Sequence, residues 1–178
     1  ILCVTLLALV LCNTPLFAHD FAVDGIYYNI TSVVEKEVRV TFQGSSSEDY
    51  TEYAGSVTIP EYVTYNDITY SVTMIGNGAF EHCTNLKSVI IPNSVTSIGI
   101  SAFAYCSSLT EITIPYSIIA IDCEAFFNCS SLTSITIPNS VSTLEQNAFV
   151  DCENLARFYG KYASEDGRCL IVNGVLNS

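Results

Sequence analysis

The sequence predicts a repeat solenoid: short parallel strands stacked coil on coil, connected by short helical turns, with a β cap at the N-terminal end. Two observations support this fold class. Four residue positions return at one constant interval over four copies, and each copy holds a stretch in which β-branched and polar residues alternate. One copy cannot bury its own apolar side chains, whereas stacked copies share one elongated core. The alternative, a globular domain with chance periodicity, gives no reason for four ladders in one register.

The repeat is defined by an alanine, a phenylalanine, a cysteine and a leucine that share this interval. The four ladders are Ala79, Ala102, Ala125 and Ala148; Phe80, Phe103, Phe126 and Phe149; Cys83, Cys106, Cys129 and Cys152; and Leu86, Leu109, Leu132 and Leu155. Pro92, Pro115 and Pro138 keep the same interval, but the interval from Pro60 to Pro92 is longer. The first copy therefore has a nine-residue insertion within Glu61–Thr73, where we expect a hairpin-like excursion.

One repeat shows how a coil is built. The segment Ile112–Ile114 alternates apolar and polar residues, as a short strand with one buried face does. Pro115 has no N–H group to donate to a neighbouring strand, so the strand must end there. Ala125-Phe126 and Cys129 follow at the spacing of a single helical turn. Each coil is therefore predicted to contain a strand, a corner and a turn.

Two repeats of this chain, SVIIPNSVTSIGISAFAYCSSLTE and SITIPNSVSTLEQNAFVDCENLA, carry a resemblance to a known family. They are similar to the BspA-type leucine-rich repeats of bacterial surface proteins, which are found chiefly in Bacteroidetes. The start DFAVDGIYYNITS resembles the cap that precedes such repeats, and YASEDGRCLIVNGVLNS resembles a hairpin between repeat blocks. The resemblance implies a leucine-rich-repeat-like fold and a non-enzymatic, surface-exposed role in attachment. The ligand varies between family members, so none is carried over.

Residues 1–18 are predicted to be a signal peptide that is incomplete at its N-terminus. This segment is uncharged and largely apolar, and charge begins directly after it. The alternatives are an uncleaved membrane anchor and a lipoprotein acylated at Cys12. A membrane-spanning helix needs about 20 apolar residues, and Asn13 and Pro15 interrupt the run earlier. We therefore expect the protein to be exported and either secreted or held at the cell surface.

The remaining chain divides into three predicted segments. They are an N-terminal β cap over 19–55, a leucine-rich-repeat solenoid of four copies over 56–157, and a truncated β-hairpin segment over 158–178. Within the cap, the patterns of Gly25–Ile30 and Glu37–Phe42 predict two strands. At the other end, Arg168–Val172 and Val175-Leu176 flank Asn173-Gly174, which is typical of a type I′ turn between two strands.

The charge balance excludes some partners. Eighteen Asp and Glu residues against six Lys and Arg residues give a formal net charge of −12, and no Lys or Arg lies between Ile91 and Ala156. Such a surface repels phosphate groups, so we expect no nucleic-acid binding and no membrane insertion of the mature chain. The charge is explained by solubility outside the cell, and attraction to a basic partner is the alternative. We expect a monomer.

Eight cysteines in an exported chain suggest disulfides, but the repeat gives four of them another role. A free cysteine is a small residue that is readily buried, so the repeat cysteines are interpreted as core thiols. Disulfides between neighbouring coils are the alternative, although parallel side chains suit that geometry poorly. Cys123 and Cys169 lie outside the register, and the sequence does not pair them.

The sequence offers no convergent set of catalytic residues, so we expect neither an enzyme nor a cofactor. His82 and Cys83 are adjacent and would point in different directions, which argues against a catalytic dyad. A straight cysteine ladder is not a tetrahedral metal site. The alternative role for the acidic pairs Asp122 with Glu124 and Asp151 with Glu153 is weak calcium binding. These pairs lack the closely spaced oxygen ligands of a calcium-binding loop. We expect an acidic, solvated edge and no metal.

The sequence favours binding, because extended faces of repeat proteins commonly engage partners. The predicted face combines three rows along the strands with three aromatic residues: Lys87, Thr110 and Thr133; Ser88, Glu111 and Ser134; Ile90, Thr113 and Thr136; and Tyr105, Tyr116 and Phe127. The predicted function is adhesion to a protein or glycan on host or microbial surfaces. The alternative is a structural spacer or cell-envelope scaffold that presents another domain.

Overall fold

The computed structural model describes residues 19–44, 53–145, 147–168, 170–172 and 175–177, and these consist of strands and turns without a helix. The predicted signal peptide lies outside these ranges. The strands are β1 Phe21–Val23, β2 Ile26–Ser32, β3 Glu37–Thr41, β4 Gly55–Thr58, β5 Tyr62–Tyr65, β6 Ile68–Ile75, β7 Leu86–Ile90, β8 Ser97–Ile98, β9 Glu111–Thr113, β10 Ala120–Ile121, β11 Ser134–Ile137, β12 Thr143–Leu144, β13 Arg157–Gly160, β14 Leu170–Val172 and β15 Val175–Asn177.

The repeats contribute strands to two parallel stacks. In the first, β4 pairs with β7 and β7 with β9, and beyond them β11 pairs with β13. The second belongs to an eight-stranded sheet in the order β1-β2-β3-β6-β8-β10-β12, with β5 on β6. Its repeat strands β8, β10 and β12 have two residues each and pair in parallel. The predicted parallel strands are therefore confirmed, and each repeat adds a second, shorter strand.

Strand formation follows the alternation in the sequence. β11 buries Ile135 and Ile137 and exposes Ser134 and Thr136, so one face joins the core and the other meets solvent. This strand ends directly before Pro138, which cannot donate a backbone hydrogen bond. The same residue types produce the same short strand in each coil.

The predicted short helical turns are not confirmed. The segment after β10 instead contains separate turns in which an N–H group bonds the carbonyl three residues earlier, as from Ala125 to Asp122 and from Cys129 to Phe126, both at 3.3 Å. Glu124 and Asn128 adopt left-handed backbone conformations, with φ of 58° and 54°. Left-handed residues interrupt a right-handed helix. The Asn128 N–H group instead donates to the Val150 carbonyl of the next coil at 2.9 Å.

The core is organised around a column of aromatic rings. Successive repeat phenylalanines, from Phe80 to Phe149, stack with ring centroids 5.0, 5.2 and 5.2 Å apart and interplanar angles of 5°, 7° and 4°. Aromatic residues that do not belong to the phenylalanine ladder cover both ends of the column. Tyr53 packs 4.6 Å from the Phe80 ring, and Phe158 contacts Phe149 edge-on at 6.2 Å. The column is thus closed by Tyr53, which lies outside the repeat register, and by Phe158, which occupies the repeat position of Ile135.

The N-terminal strands extend the second stack. The two predicted cap strands are present as β2 and β3, which pair antiparallel, and β3 then pairs in parallel with β6. The inserted segment at 61–73 contains β5 and most of β6, which form an antiparallel hairpin. Tyr53 ties this region together, because its hydroxyl accepts from the Tyr27 N–H and donates to the Thr41 carbonyl, both at 3.1 Å.

At the C-terminal end, side chains replace the next coil. The Tyr162 hydroxyl lies 3.1 Å from the Val141 carbonyl oxygen, and the Lys161 ammonium donates to the same oxygen at 2.7 Å. Gly160 occupies the repeat position of Ile137, and a Cβ there would overlap the Ile137 carbonyl. The strands β14 and β15 pair antiparallel, whereas the predicted turn at Asn173-Gly174 lies outside the described residues.

The aromatic column predicts a graded response to truncation. Phe103 is fully buried between two rings, whereas Phe149 is only partly buried. We expect Phe103→Ala to lower the free energy of unfolding by about 3–5 kcal/mol, because it leaves a cavity inside the stack. Phe149→Ala should cost clearly less. Urea unfolding followed by circular dichroism measures both changes, and equal losses would contradict a continuous column.

Candidate binding surfaces

The first stack presents a flat outer surface, which we call the parallel face and define as the outward side of β4, β7, β9, β11 and β13. Strand pairing aligns its side chains in rows. One row contains Ser56, Ser88 and Glu111 and, after the β9–β11 step, Ser134 and Arg157; the next contains Thr58, Ile90 and Thr113, followed by Thr136 and Tyr159. The Ser88 hydroxyl donates to the Ser56 hydroxyl at 2.8 Å, which links neighbouring coils at the surface.

The twelve residues predicted for a binding face do not share one surface. The nine strand residues, from Lys87 to Thr136, all lie on or directly beside the parallel face. Tyr116 is 80% exposed, in the corner after β9. Tyr105 and Phe127 lie in the turns that lead from the second stack back to the first. The predicted aromatic anchors are therefore distributed over different sides of the coil.

Four residues of the parallel face were missed by the sequence prediction: Ser56, Thr58, Arg157 and Tyr159. Arg157 and Tyr159 follow Ser134 and Thr136 by one full repeat, so the repeat interval itself was a sufficient signal. Ser56 and Thr58 precede their partners by the same longer interval that separates Pro60 from Pro92. The missed residues belong to the two outermost strands, where the alanine–phenylalanine part of the repeat is absent.

The parallel face is rich in hydroxyl groups and has few charges. Its exposed apolar side chains include Ile90 at 59% and Tyr159 at 52% exposure. Near the end of this face, a cavity of about 360 Å³ is lined by residues including Tyr159, Ser164 and Asp166. Hydrogen bonds from the Ser164 hydroxyl at 2.6 Å and the Arg168 N–H at 3.0 Å lower the pKa of Asp166.

A second surface lies on the turns, and we call the outward side of residues 76–85, 99–108, 122–131 and 147–154 the turn face. His82, Tyr105 and Asn128 occupy equivalent left-handed positions, with φ of 57°, 60° and 54°. The rings of His82 and Tyr105 stack at 4.3 Å, and Phe127 meets Tyr105 edge-on at 5.2 Å. The turn face thus carries an aromatic strip that runs across three coils.

The repeat cysteines bond to the backbone of the preceding coil. The thiols of Cys106, Cys129 and Cys152 donate to the carbonyls of Phe80, Phe103 and Phe126 at 3.0, 3.1 and 2.9 Å. Burial raises the pKa of Cys106 well above its ordinary value, and the hydrogen bond with Cys152, followed by burial, raises that of Cys129. Cys106 and Cys129 are buried core thiols, as the sequence predicted, whereas Cys152 is half-buried. The sequence did not predict their hydrogen bonds.

Groups suited to metal binding are not brought together in the part of the chain that the structure describes, where no three His, Cys, Asp or Glu side chains converge. Asp122 is half-buried, and Glu124 is exposed and lies 3.5 Å from the Ser101 hydroxyl. Among the described residues, no helix is long and apolar enough to cross a membrane.

Comparison with known proteins identifies the repeats. The sequence pattern of the BspA-type leucine-rich repeat region matches residues 53–163 in six copies. The chain belongs to this family. The six copies extend beyond the four predicted from strict spacing, in keeping with β4 and β13, which continue the parallel stack on either side. No functionally curated protein matches the sequence.

Solved structures of bacterial leucine-rich repeat proteins share this fold. A Bacteroides capillosus protein is 30% identical with a TM-score of 0.64, over 79% of this chain and 97% of that one. A Bacteroides ovatus protein is 31% identical with a TM-score of 0.57, over 80% of this chain and 41% of that protein. A T. pallidum protein, 23% identical with a TM-score of 0.57, matches over 78% of this chain and 70% of that one and supports the fold alone.

The cysteine environments predict selective labelling by maleimide reagents. Cys123 is exposed, whereas Cys106 is fully buried with a raised pKa, and only the thiolate reacts. In native protein at pH 8, we expect Cys123 to be modified at least about tenfold faster than Cys106. Peptide mass spectrometry measures both rates, with unfolding in urea as the control that should equalise them. Equal rates in the native protein would contradict a buried thiol ladder.

Proposed function

We propose that this chain is an exported, surface-exposed binding module that engages a protein or glycan through the parallel face. The single observation that carries the proposal is the alignment of outward side chains in rows across β4, β7 and β9 and, in the adjacent sheet, across β11 and β13. A partner that lies across these rows contacts several coils at once, which a single coil could not offer. The partner is a molecule of host or microbial surfaces, and the module acts as a monomer.

The chemistry of the parallel face supports a polar, extended ligand. Threonine and serine hydroxyls both donate and accept hydrogen bonds, so they suit the amides of a protein chain or the hydroxyls of a glycan. Tyr159 and Ile90 add exposed apolar area, and aromatic residues are enriched at the centres of interfaces. Charged residues are sparse on this face, so its contacts depend mainly on hydrogen bonds and shape.

Family membership supports the non-enzymatic character of the proposal. The comparisons indicate a repeat family and no catalytic family. The proposal combines an exported chain, a repeat framework and an extended polar face. Together these features support adhesion best. The uncharged, apolar start of the sequence supports export.

A bulky charge placed on the parallel face should weaken binding. Purified protein is tested against extracellular-matrix proteins, a glycan array and intact bacterial cells, and we expect saturable binding to at least one of them. Thr113→Arg should weaken that binding at least about tenfold, because the long side chain prevents close contact across the rows. Biolayer interferometry measures the change in affinity, with cell binding read by flow cytometry.

The matched control is Thr143→Arg, an exposed strand threonine in the second stack. This variant should bind as the unaltered protein does. Equal loss in both variants would reject the parallel face as the binding surface. Absence of saturable binding to every probe would favour the spacer function instead.

A further inference from the structure

The turn face differs chemically from the parallel face. Between residues 76 and 156 the chain contains seven acidic residues, and six of them lie in the turns or directly before them: Glu81, Asp122, Glu124, Glu145, Asp151 and Glu153. The remaining one, Glu111, lies on the parallel face. Lysine and arginine are absent from the turns themselves, since Lys87 on β7 is the one basic residue in this range of the sequence. The fold thus concentrates negative charge on one side of the stack.

The aromatic strip lies within this acidic region. The imidazole of His82 is 4.0 Å from the Glu81 carboxylate, and Glu124 precedes Phe127 by three residues in the same turn. Tyr105 lies between the other two rings and remains 36% exposed. Apolar ring edges and carboxylates are therefore available side by side.

The backbone holds this surface in place. The N–H groups of His82, Tyr105 and Asn128 donate to carbonyls of the following coil at 2.8, 2.7 and 2.9 Å. These bonds fix His82 and Tyr105, whose rings form part of the aromatic strip, and the backbone directly after Phe127, whose ring completes it. Aromatic side chains on a rigid backbone lose little conformational entropy when they bind a partner.

We propose that the turn face is a second docking surface, separate from the parallel face, and that it binds a cationic, arginine- or lysine-bearing segment of a partner protein. Charge complementarity is the argument for this occupant. Arginine and lysine side chains have apolar stems and charged ends, so the stems pack against the aromatic strip while the charged ends reach the carboxylates. Neither the rings nor the carboxylates alone would select such a segment.

The test uses a fluorescein-labelled peptide of six Arg-Gly repeats and its citrulline counterpart, which keeps the shape without the charge. Fluorescence anisotropy at low salt should show saturable binding of the arginine peptide and at least tenfold weaker binding of the citrulline peptide. The double variant Tyr105→Ser with Phe127→Ser should weaken arginine-peptide binding at least tenfold. The matched control, Tyr116→Ser with Tyr159→Ser, removes two exposed aromatic rings elsewhere and should leave binding unchanged.

A second pair of variants avoids any effect on folding, because it alters exposed carboxylates only. Glu124→Gln with Asp151→Asn should weaken binding several-fold, whereas Glu111→Gln on the parallel face should not. No saturable binding by the unaltered protein would overturn the proposal. Equal weakening of peptide binding by the test and control variants would also overturn the proposal, since that result would indicate diffuse electrostatic attraction to an acidic protein. The synthetic peptide makes this outcome independent of whether the parallel face binds its own partner.

Discussion

Each coil satisfies its backbone hydrogen bonds through the coils on either side. The N–H groups of Phe80, Phe103 and Phe126 all donate to an alanine carbonyl of the following coil at 2.8 Å. A buried N–H group without such a partner is costly, so each coil requires a neighbour of the same shape. This constraint accounts for the constant length of the inner repeats, and the longer first copy keeps its pairing because its extra residues form the β5–β6 hairpin.

The same constraint makes the two ends of the stack special. Among the described residues, an end coil lacks the neighbouring copy that covers the ring and the carbonyls of an inner coil. Other side chains serve this purpose: Tyr53 and Phe158, the latter at the repeat position of Ile135, cover the terminal rings, and Tyr162 donates to a carbonyl of the last coil. Chemistry that lies outside the repeat pattern therefore completes the fold, as end caps do in repeat proteins generally.

Stacking also produces two surfaces with different chemistry. Residues in equivalent positions of successive coils come into one row, so any bias at a repeat position is multiplied along the stack. Hydroxyl-bearing residues accumulate on the parallel face, while carboxylates and aromatic rings accumulate on the turn face.

The repeat interval in the sequence determined the stacking, the strands and the residues of the core, because each inward position meets the same surroundings in every coil. It also determined the rows of the parallel face between residues 87 and 136. Only the tertiary structure decided the turn conformation, because Tyr105 gives no sign of the left-handed backbone that it shares with His82, Asn128 and Asp151, whose residue types favour it. It likewise decided that Tyr105 and Phe127 share the turn face rather than the strand rows. Contacts of this kind depend on the backbone conformation between the strands, which the spacing of apolar residues does not predict.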